Sequence, residues 1–159
     1  MRYVYSVTPK AERIALVVEG ISELSRLILD ALTKHNIACR VVLKNNGLEA
    51  LDYLLGRGAY KGRDRHVMPC VILLDLSLPR LEDGLDGLGL LREMRAHEQT
   101  RLVPVVVFSS ADERQEADVV YESRANSYIR ARPGFGPFEE RLQQVARYWC
   151  VLNEPPPTL

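Results

Sequence analysis

A chain of 159 residues suits a single domain, and a body of this size buries roughly two-thirds of the surface its unfolded form exposes, so it needs neither disulfide nor metal to fold. Lys plus Arg and Asp plus Glu stand at 21 each, which excludes a global basic field for nucleic acid and an acidic solvating tail; any charge-based function must be local. The start, MRYVYSVTPK, lacks a basic segment followed by an apolar one, and no apolar stretch reaches bilayer-spanning length, so the cytoplasm is the expected location and no membrane or nucleic-acid partner is expected.

After a polar lead over 1–11, Ile14–Val18 reads as a buried strand, and Leu24, Leu27, Ile28, Ala31 and Leu32 then recur at helical spacing. Ile37–Leu43 is a second β-branched run. Asn46 stands three residues before Glu49, a cap pattern opening a helix that carries Leu48, Leu51 and Leu55. Gly56–Pro69 is rich in glycine and charge and has no period, as a surface connection does. Cys70–Asp75 is an apolar run ending abruptly in a carboxylate; past a linker with Pro79, Gly84 and Gly87, a helix places Leu88, Leu91 and Met94 on one face. Val103–Phe108 is the fourth strand, closed by Ser109 and Ser110. Ser110 and Glu113 form a capping-box pattern before a helix with Ala117, Val120 and Tyr121, and Tyr128–Ile129 belongs to a fifth, short strand. Pro137 fits the first position of the last helix, whose Phe138, Leu142, Val145, Ala146 and Trp149 share a face, and the prolines of VLNEPPPTL forbid further helix. The expected organisation is a lead over 1–11, one folded domain over 12–152 and a Pro-rich tail over 153–159.

Strand–helix units with near-continuous apolar strands imply an α/β protein with a parallel sheet covered on both faces. Ligands of such sheets bind beyond the carboxyl ends of the strands. Glu19, Asp75 and Ser109 all fall there. A buried carboxylate is costly unless paired, and two converging carboxylates repel. A divalent cation settles both, and Mg²⁺ favours one or two carboxylates with water and phosphate oxygens. Ser109 could then donate a hydroxyl to an oxyanion on Asp75. The chemistry so assembled is a phosphoryl-accepting carboxylate with metal and hydroxyl support.

At these residues the chain resembles the receiver domain of two-component response regulators, over about residues 12–149. The resemblance is carried by VILLDLSLP (71–79), DGLGLLREMR (86–95), VPVVVFSSADE (103–113) and ANSYI (125–129). It implies a flavodoxin-like, doubly wound five-stranded parallel sheet, (βα)5, of order 2-1-3-4-5. It implies Asp75 as phosphoacceptor, Glu19 as a metal-binding acid, Ser77 as a ligand through its backbone carbonyl, Ser109 as the phosphoryl-sensing hydroxyl and Tyr128 as the aromatic switch residue. Mg²⁺ is the implied metal and a sensor histidine kinase the implied partner; enzymatic action is limited to self-phosphorylation and self-dephosphorylation. The insertion before strand three and the segment ARYWCVLNEPP resemble single-domain regulators associated with bacterial phytochromes, which points to a bacteriophytochrome as the kinase.

Departures from the family pattern bear on the chemistry. Where the family has two successive acids after strand one, this chain has Val18 and Glu19, so Mg²⁺ affinity should be reduced. Where the family has a Lys after strand five, an ungapped alignment gives Ala131, and one inserted residue gives Arg132 before Pro133. An Arg fork binds phosphate but does not occupy a lysine's position. The turn RLEDGL (80–85) is also additional.

Plainer roles stand beside these. Asp75 could cap a helix, Glu19 could be a loop acid, Tyr128 is as readily a packing residue as a switch, and Arg130 and Arg132 could be solvated charges. Ser110 fits the cap better than Ser109 does. His35, His66 and His97 show no metal spacing and read as surface residues; Cys39, Cys70 and Cys150 read as buried free thiols. Core packing explains Trp149, but apolar character continuing through Val151 and Leu152 suggests a homodimer through the last helix and C-terminal tail. Two functions therefore compete: a phosphorylatable receiver with another protein as its output, and a degenerate pseudo-receiver acting as a phosphorylation-independent dimeric module. A flavodoxin-like cofactor binder is disfavoured because EGISEL lacks the Gly and Thr density of a phosphate-cradling loop.

Overall fold

Apolar runs of four or five residues, too short for helices and bounded by turns, become the strands of one parallel sheet. The computed structural model describes residues 12–20, 22–34, 37–79, 82, 84–110, 114–130 and 137–157. Its strands are β1 (Ile14–Val18), β2 (Arg40–Lys44), β3 (Val71–Asp75), β4 (Val105–Ser109) and β5 (Ser127–Arg130), in the expected order 2-1-3-4-5. The connecting helices are α1 (Ser22–Thr33), α2 (Gly47–Leu55), α3 (Gly87–Ala96), α4 (Arg114–Glu122) and α5 (Phe138–Arg147), the last continued by a π-helical turn, Tyr148–Leu152. No helix among the described residues is long and apolar enough to cross a membrane.

Alternation along the three buried strands sorts the core into two layers. Leu16, Val18, Ile72, Leu74, Val105 and Val107 meet α2, α3 and α4 on one face. Ala15, Val17, Val71, Leu73, Val106 and Phe108 meet α1 and α5 on the other. Each fully buried Val or Leu contributes about 1.5–3 kcal/mol. The ends of α2 are closed as its sequence dictates: Asn46 Oδ1 accepts the Glu49 N–H at 2.8 Å, and Gly56 takes the left-handed conformation at φ 62°.

Several boundaries depart from expectation for identifiable reasons. β2 begins at Arg40 rather than Ile37, because Arg40 is the residue paired with Ile14, where β1 itself begins. β3 begins at Val71, one residue past the expected Cys70, whereas β5, over Ser127–Arg130, contains the expected Tyr128–Ile129. β4 begins at Val105 rather than Val103: Pro104 has no N–H for the ladder, although its carbonyl accepts from Ile72 N at 2.8 Å. Gly87, expected in the linker, is the first residue of α3, with Asp86 as its cap; Pro137, expected inside α5, precedes it at the cap position. Helix continues through Val151 and Leu152 because the prolines start only at Pro155.

The expected inner faces also need correction. Leu27, Leu48 and Tyr121 are exposed at 40, 41 and 53%. Neighbours on a helix point about 100° apart, and the expected Ile28, Leu51 and Val120 hold the inward positions; in α3 Leu90 is fully buried beside the expected Leu91 and Met94, while Leu88 is only partly buried. The charged connection before β3 is anchored: Arg63 lies 4.2 Å from the Tyr53 ring and donates to the Leu54 and Val67 carbonyls. The Ser110–Glu113 capping pattern reaches residues outside those described.

One cation organises the far end of α3. Arg95, 8% exposed, donates through Nε to the Arg124 carbonyl at 2.9 Å and through Nη1 to the carbonyls of Arg101 and Val103 at 3.0 and 2.9 Å. Its Nη2 donates to Asn126 Oδ1 at 3.1 Å. Burial, with the Arg124 charge, pushes its pKa down, so the neutral acceptors offset a real desolvation cost. Arg95→Met should destabilise the fold by about 3 kcal/mol in urea unfolding, because it orphans several buried acceptors at once. At the opposite end of α3, a Cβ on Gly87 would lie 2.8 Å from the Asp75 carbonyl oxygen and 3.0 Å from Leu76 Cα. Gly87→Ala should cost about 1–3 kcal/mol by the same measurement despite the better helix propensity of alanine.

Candidate functional site

The register of β1 and β3 decides what meets at the carboxyl edge. Val18 pairs with Leu74, so Glu19 and Asp75, the next residues of two adjacent parallel strands, stand side by side and share the pleat direction of Val17 and Leu73. Both are buried, at 1 and 5% exposure. The Glu19 N–H donates to the Lys44 carbonyl at 3.0 Å, extending the ladder past the end of β1. Val18 is fully buried in the layer under α2 and α3.

Asp75 is oriented by its own turn. Ser77 N–H and Ser77 Oγ both donate to Asp75 Oδ1, at 2.9 and 2.7 Å. Such a local side-chain turn is what a carboxylate at a strand end favours. Leu76 N–H continues to the Phe108 carbonyl at 2.9 Å, which holds the turn against β4. Gly87 closes over the same backbone, so α3 approaches as near as an absent Cβ permits.

Ser109 ends β4 one residue beyond Phe108, the partner of Asp75, and is 3% exposed. It is hydrogen-bonded to Tyr128, whose hydroxyl also lies 2.6 Å from Glu116 Oε2 on α4. Burial pushes the Tyr128 phenol pKa up, and the bond to Glu116 acts in the same direction. Ser109, Tyr128 and Glu116 thus form a continuous chain from the sheet edge to the surface of α4. Glu116 was not legible as a site residue: an acid in the first turn of a helix is ordinary.

A second polar group stands at the end of β2, where the Lys44 carbonyl accepts the Glu19 N–H. Lys44 Nζ lies 3.3 Å from Glu49 Oε1 and 2.6 Å from the Tyr60 hydroxyl, which itself donates to Glu49 at 2.6 Å. Burial works against the Lys44 charge, but the bonds to Tyr60 and Glu49 outweigh it and raise the pKa. Tyr60 comes from the aperiodic connection before β3, where nothing in the sequence signals a partner for Lys44. Ala131 and Arg132 lie outside the described residues. Among the described residues no group of three or more His, Cys, Asp and Glu is placed to hold a metal; two adjacent carboxylates still fit an ion that completes its shell with water and phosphate oxygens.

No family model matches the chain. Response regulator Rcp1 of Synechocystis sp. is 27% identical over 137 residues, 86% of this chain and 88% of that protein. A manganese-bound form of response regulator Rcp1 has a TM-score of 0.79 at 26% identity, covering 91% of this chain and 99% of that one. The phosphorylated cyanobacterial phytochrome response regulator RcpA has a TM-score of 0.80 at 28% identity, over 92% of this chain and 99% of that one. The bacteriophytochrome response regulator AtBRR is 35% identical with a TM-score of 0.69, over 91% of this chain and 100% of that one. On these similarities, with the sheet order and strand ends described above, the chain belongs to the receiver family of response regulators in two-component signal transduction.

Proposed function

We propose that Asp75 accepts a phosphoryl group from a sensor histidine kinase and that the phosphorylated receiver signals through contact with another protein, in the cytoplasm. The observation that carries this reading is the register setting the buried Glu19 and Asp75 carboxylates side by side. Such a pair is stabilised by a cation. Glu19, Asp75 and the Ser77 backbone carbonyl would hold Mg²⁺, which when bound neutralises charge on phosphoryl oxygens; the manganese-bound form of Rcp1 supports a divalent ion here.

Both Ser77 donors fall on Oδ1, so Oδ2 is the attacking oxygen. It forms the new O–P bond as the phosphorus–nitrogen bond to the kinase histidine breaks. Ser109 donates its hydroxyl to a phosphoryl oxygen, which draws on the bond it shares with Tyr128. Tyr128 then loosens from Glu116 and the α4 surface changes, a local charge event with a packed two-state readout. Arg132, assigned by sequence order alone, pairs with the phosphoryl group in place of the family's Lys. The phytochrome response regulators among the relatives favour a bacteriophytochrome as the kinase.

Incubation with acetyl phosphate and Mg²⁺, followed by intact-mass measurement, should add one phosphoryl group to the wild type and none to Asp75→Asn. Because Val18 replaces an acid, the rate should be about tenfold or more below that of receivers with both acids. No Asp75-dependent adduct, even with a matched kinase, would sink this reading.

A second reading keeps the fold without the phosphoryl chemistry: a pseudo-receiver working as a homodimer through α5 and the C-terminal tail. The burial of Val18 favours it, as do Tyr148, Val151 and Leu152, exposed at 50, 43 and 68% on one terminal turn. Val151→Ser with Leu152→Ser should lower the mass measured by light scattering from dimer to monomer without unfolding the domain. An unchanged mass counts against the dimer.

A further inference from the structure

The three cysteines come from remote parts of the chain yet meet in one place. Cys70 precedes β3, Cys150 lies on the π-helical turn and Cys39 precedes β2; all three belong to or pack against the core layer under α1 and α5. Cys70 Sγ and Cys150 Sγ are 3.8 Å apart, and both residues are buried, at 3 and 2% exposure. Cys39, partly exposed, is hydrogen-bonded to Cys150.

Access exists from one side. A cavity of about 460 Å³ opens at the amino ends of the strands, on the opposite edge of the sheet from Asp75, and Cys70 lines it together with Arg13, His66, Met68, Leu102 and Pro155. Its walls are largely apolar, so a small uncharged molecule can enter more readily than a bulky anion.

We propose that Cys70 and Cys150 form an oxidation site at which a hydroperoxide converts the two thiols to an intramolecular disulfide. The Cys70 thiolate attacks the near oxygen of the hydroperoxide; the O–O bond breaks, and Cys70 becomes a sulfenic acid as the distal oxygen leaves as hydroxide or alkoxide and takes a proton. Cys150 sulfur then attacks the sulfenic sulfur, the S–O bond breaks, and the hydroxide leaves with the Cys150 proton as water. Two thiols are oxidised by two electrons and one hydroperoxide is reduced, with water and the corresponding alcohol, or a second water, as products.

The electrostatics agree with this division of labour. The hydrogen bond with Cys150 holds the Cys70 thiol below its ordinary pKa against the effect of burial, and the Arg13 guanidinium acts in the same direction. Hydrogen bonds with Cys39 and Cys70, and burial, push the Cys150 thiol up. The Cys39 thiol is lowered in the same way, but Cys70 is the cysteine that lines the cavity, so it is the sulfur that meets the oxidant, and Cys150, 3.8 Å away, the one that resolves it. Arg13 already ties the terminal turn to the sheet, donating to the Cys150 and Asn153 carbonyls at 2.8 and 2.9 Å. The disulfide would make that attachment covalent and fix the turn that presents Tyr148, Val151 and Leu152.

The test is full-length protein treated with hydrogen peroxide, then denatured, alkylated with iodoacetamide and analysed by intact mass and peptide mapping. The expected product keeps one alkylatable thiol, carries a Cys70–Cys150 bridge and melts at a higher temperature than the reduced protein. Cys39→Ser should form the same bridge, and Cys150→Ser should accumulate sulfinic acid at Cys70. Three free thiols after treatment, an intermolecular bridge alone, or loss of the bridge in Cys39→Ser would overturn the proposal. The wild-type and Cys39→Ser measurements decide it even if Cys150→Ser fails to fold.

Discussion

A parallel sheet covered by helices on both faces leaves water only at the ends of its strands, and this constraint decides where the protein can place charge. Along β1, β3 and β4 every position is apolar until the last turn of the ladder, where Glu19, Asp75 and Ser109 appear together. The site is not an addition to the fold. It is the first place at which the fold tolerates a carboxylate, and the pairing of β1 with β3 brings two of them into one solvent-poor corner. A parallel register, not a long-range contact between side chains, is what aligns the chemistry.

How much of this was legible follows from which signals are local. Asp75 stood out because a short apolar run ended in an acid, and the order of the sheet followed from resemblance and is observed. The start of β4 was misplaced because an apolar Val103 looks like strand, while the decisive residue is Pro104, which cannot donate. The outward turn of Tyr121 shows the limit of helical spacing: with a short helix and one inward position, Val120 suffices, and its neighbour faces solvent. Glu116 and Tyr60 escaped notice because their importance lies in partners from other elements, Tyr128 and Lys44, that no spacing along the chain brings together.

The two edges of the sheet hold different kinds of side chain. At the carboxyl edge polar groups converge on Asp75, and the Ser109, Tyr128 and Glu116 chain leads outward to α4. At the amino edge a cavity, an arginine and thiols are held beneath the terminal turn. β3 runs between them, with Cys70 just before its first residue and Asp75 as its last. It is buried throughout and paired on both sides, so the strand is a rigid spacer between the two groups.

The π-helical turn after α5 carries a consequence for how such surfaces change. The Asn153 N–H reaches back five residues to the Tyr148 carbonyl at 2.7 Å, a wider step than in an ordinary helix. That extra width resets the rotational phase of everything after Arg147, placing Cys150 inward and Val151 and Leu152 outward. Loss of a single residue from this turn would return the segment to α-helical phase and exchange the side chains that face solvent for those that face the core. A one-residue change in length here can therefore rewrite an exterior surface in one step, without altering a residue of the sheet or of the carboxylate pair.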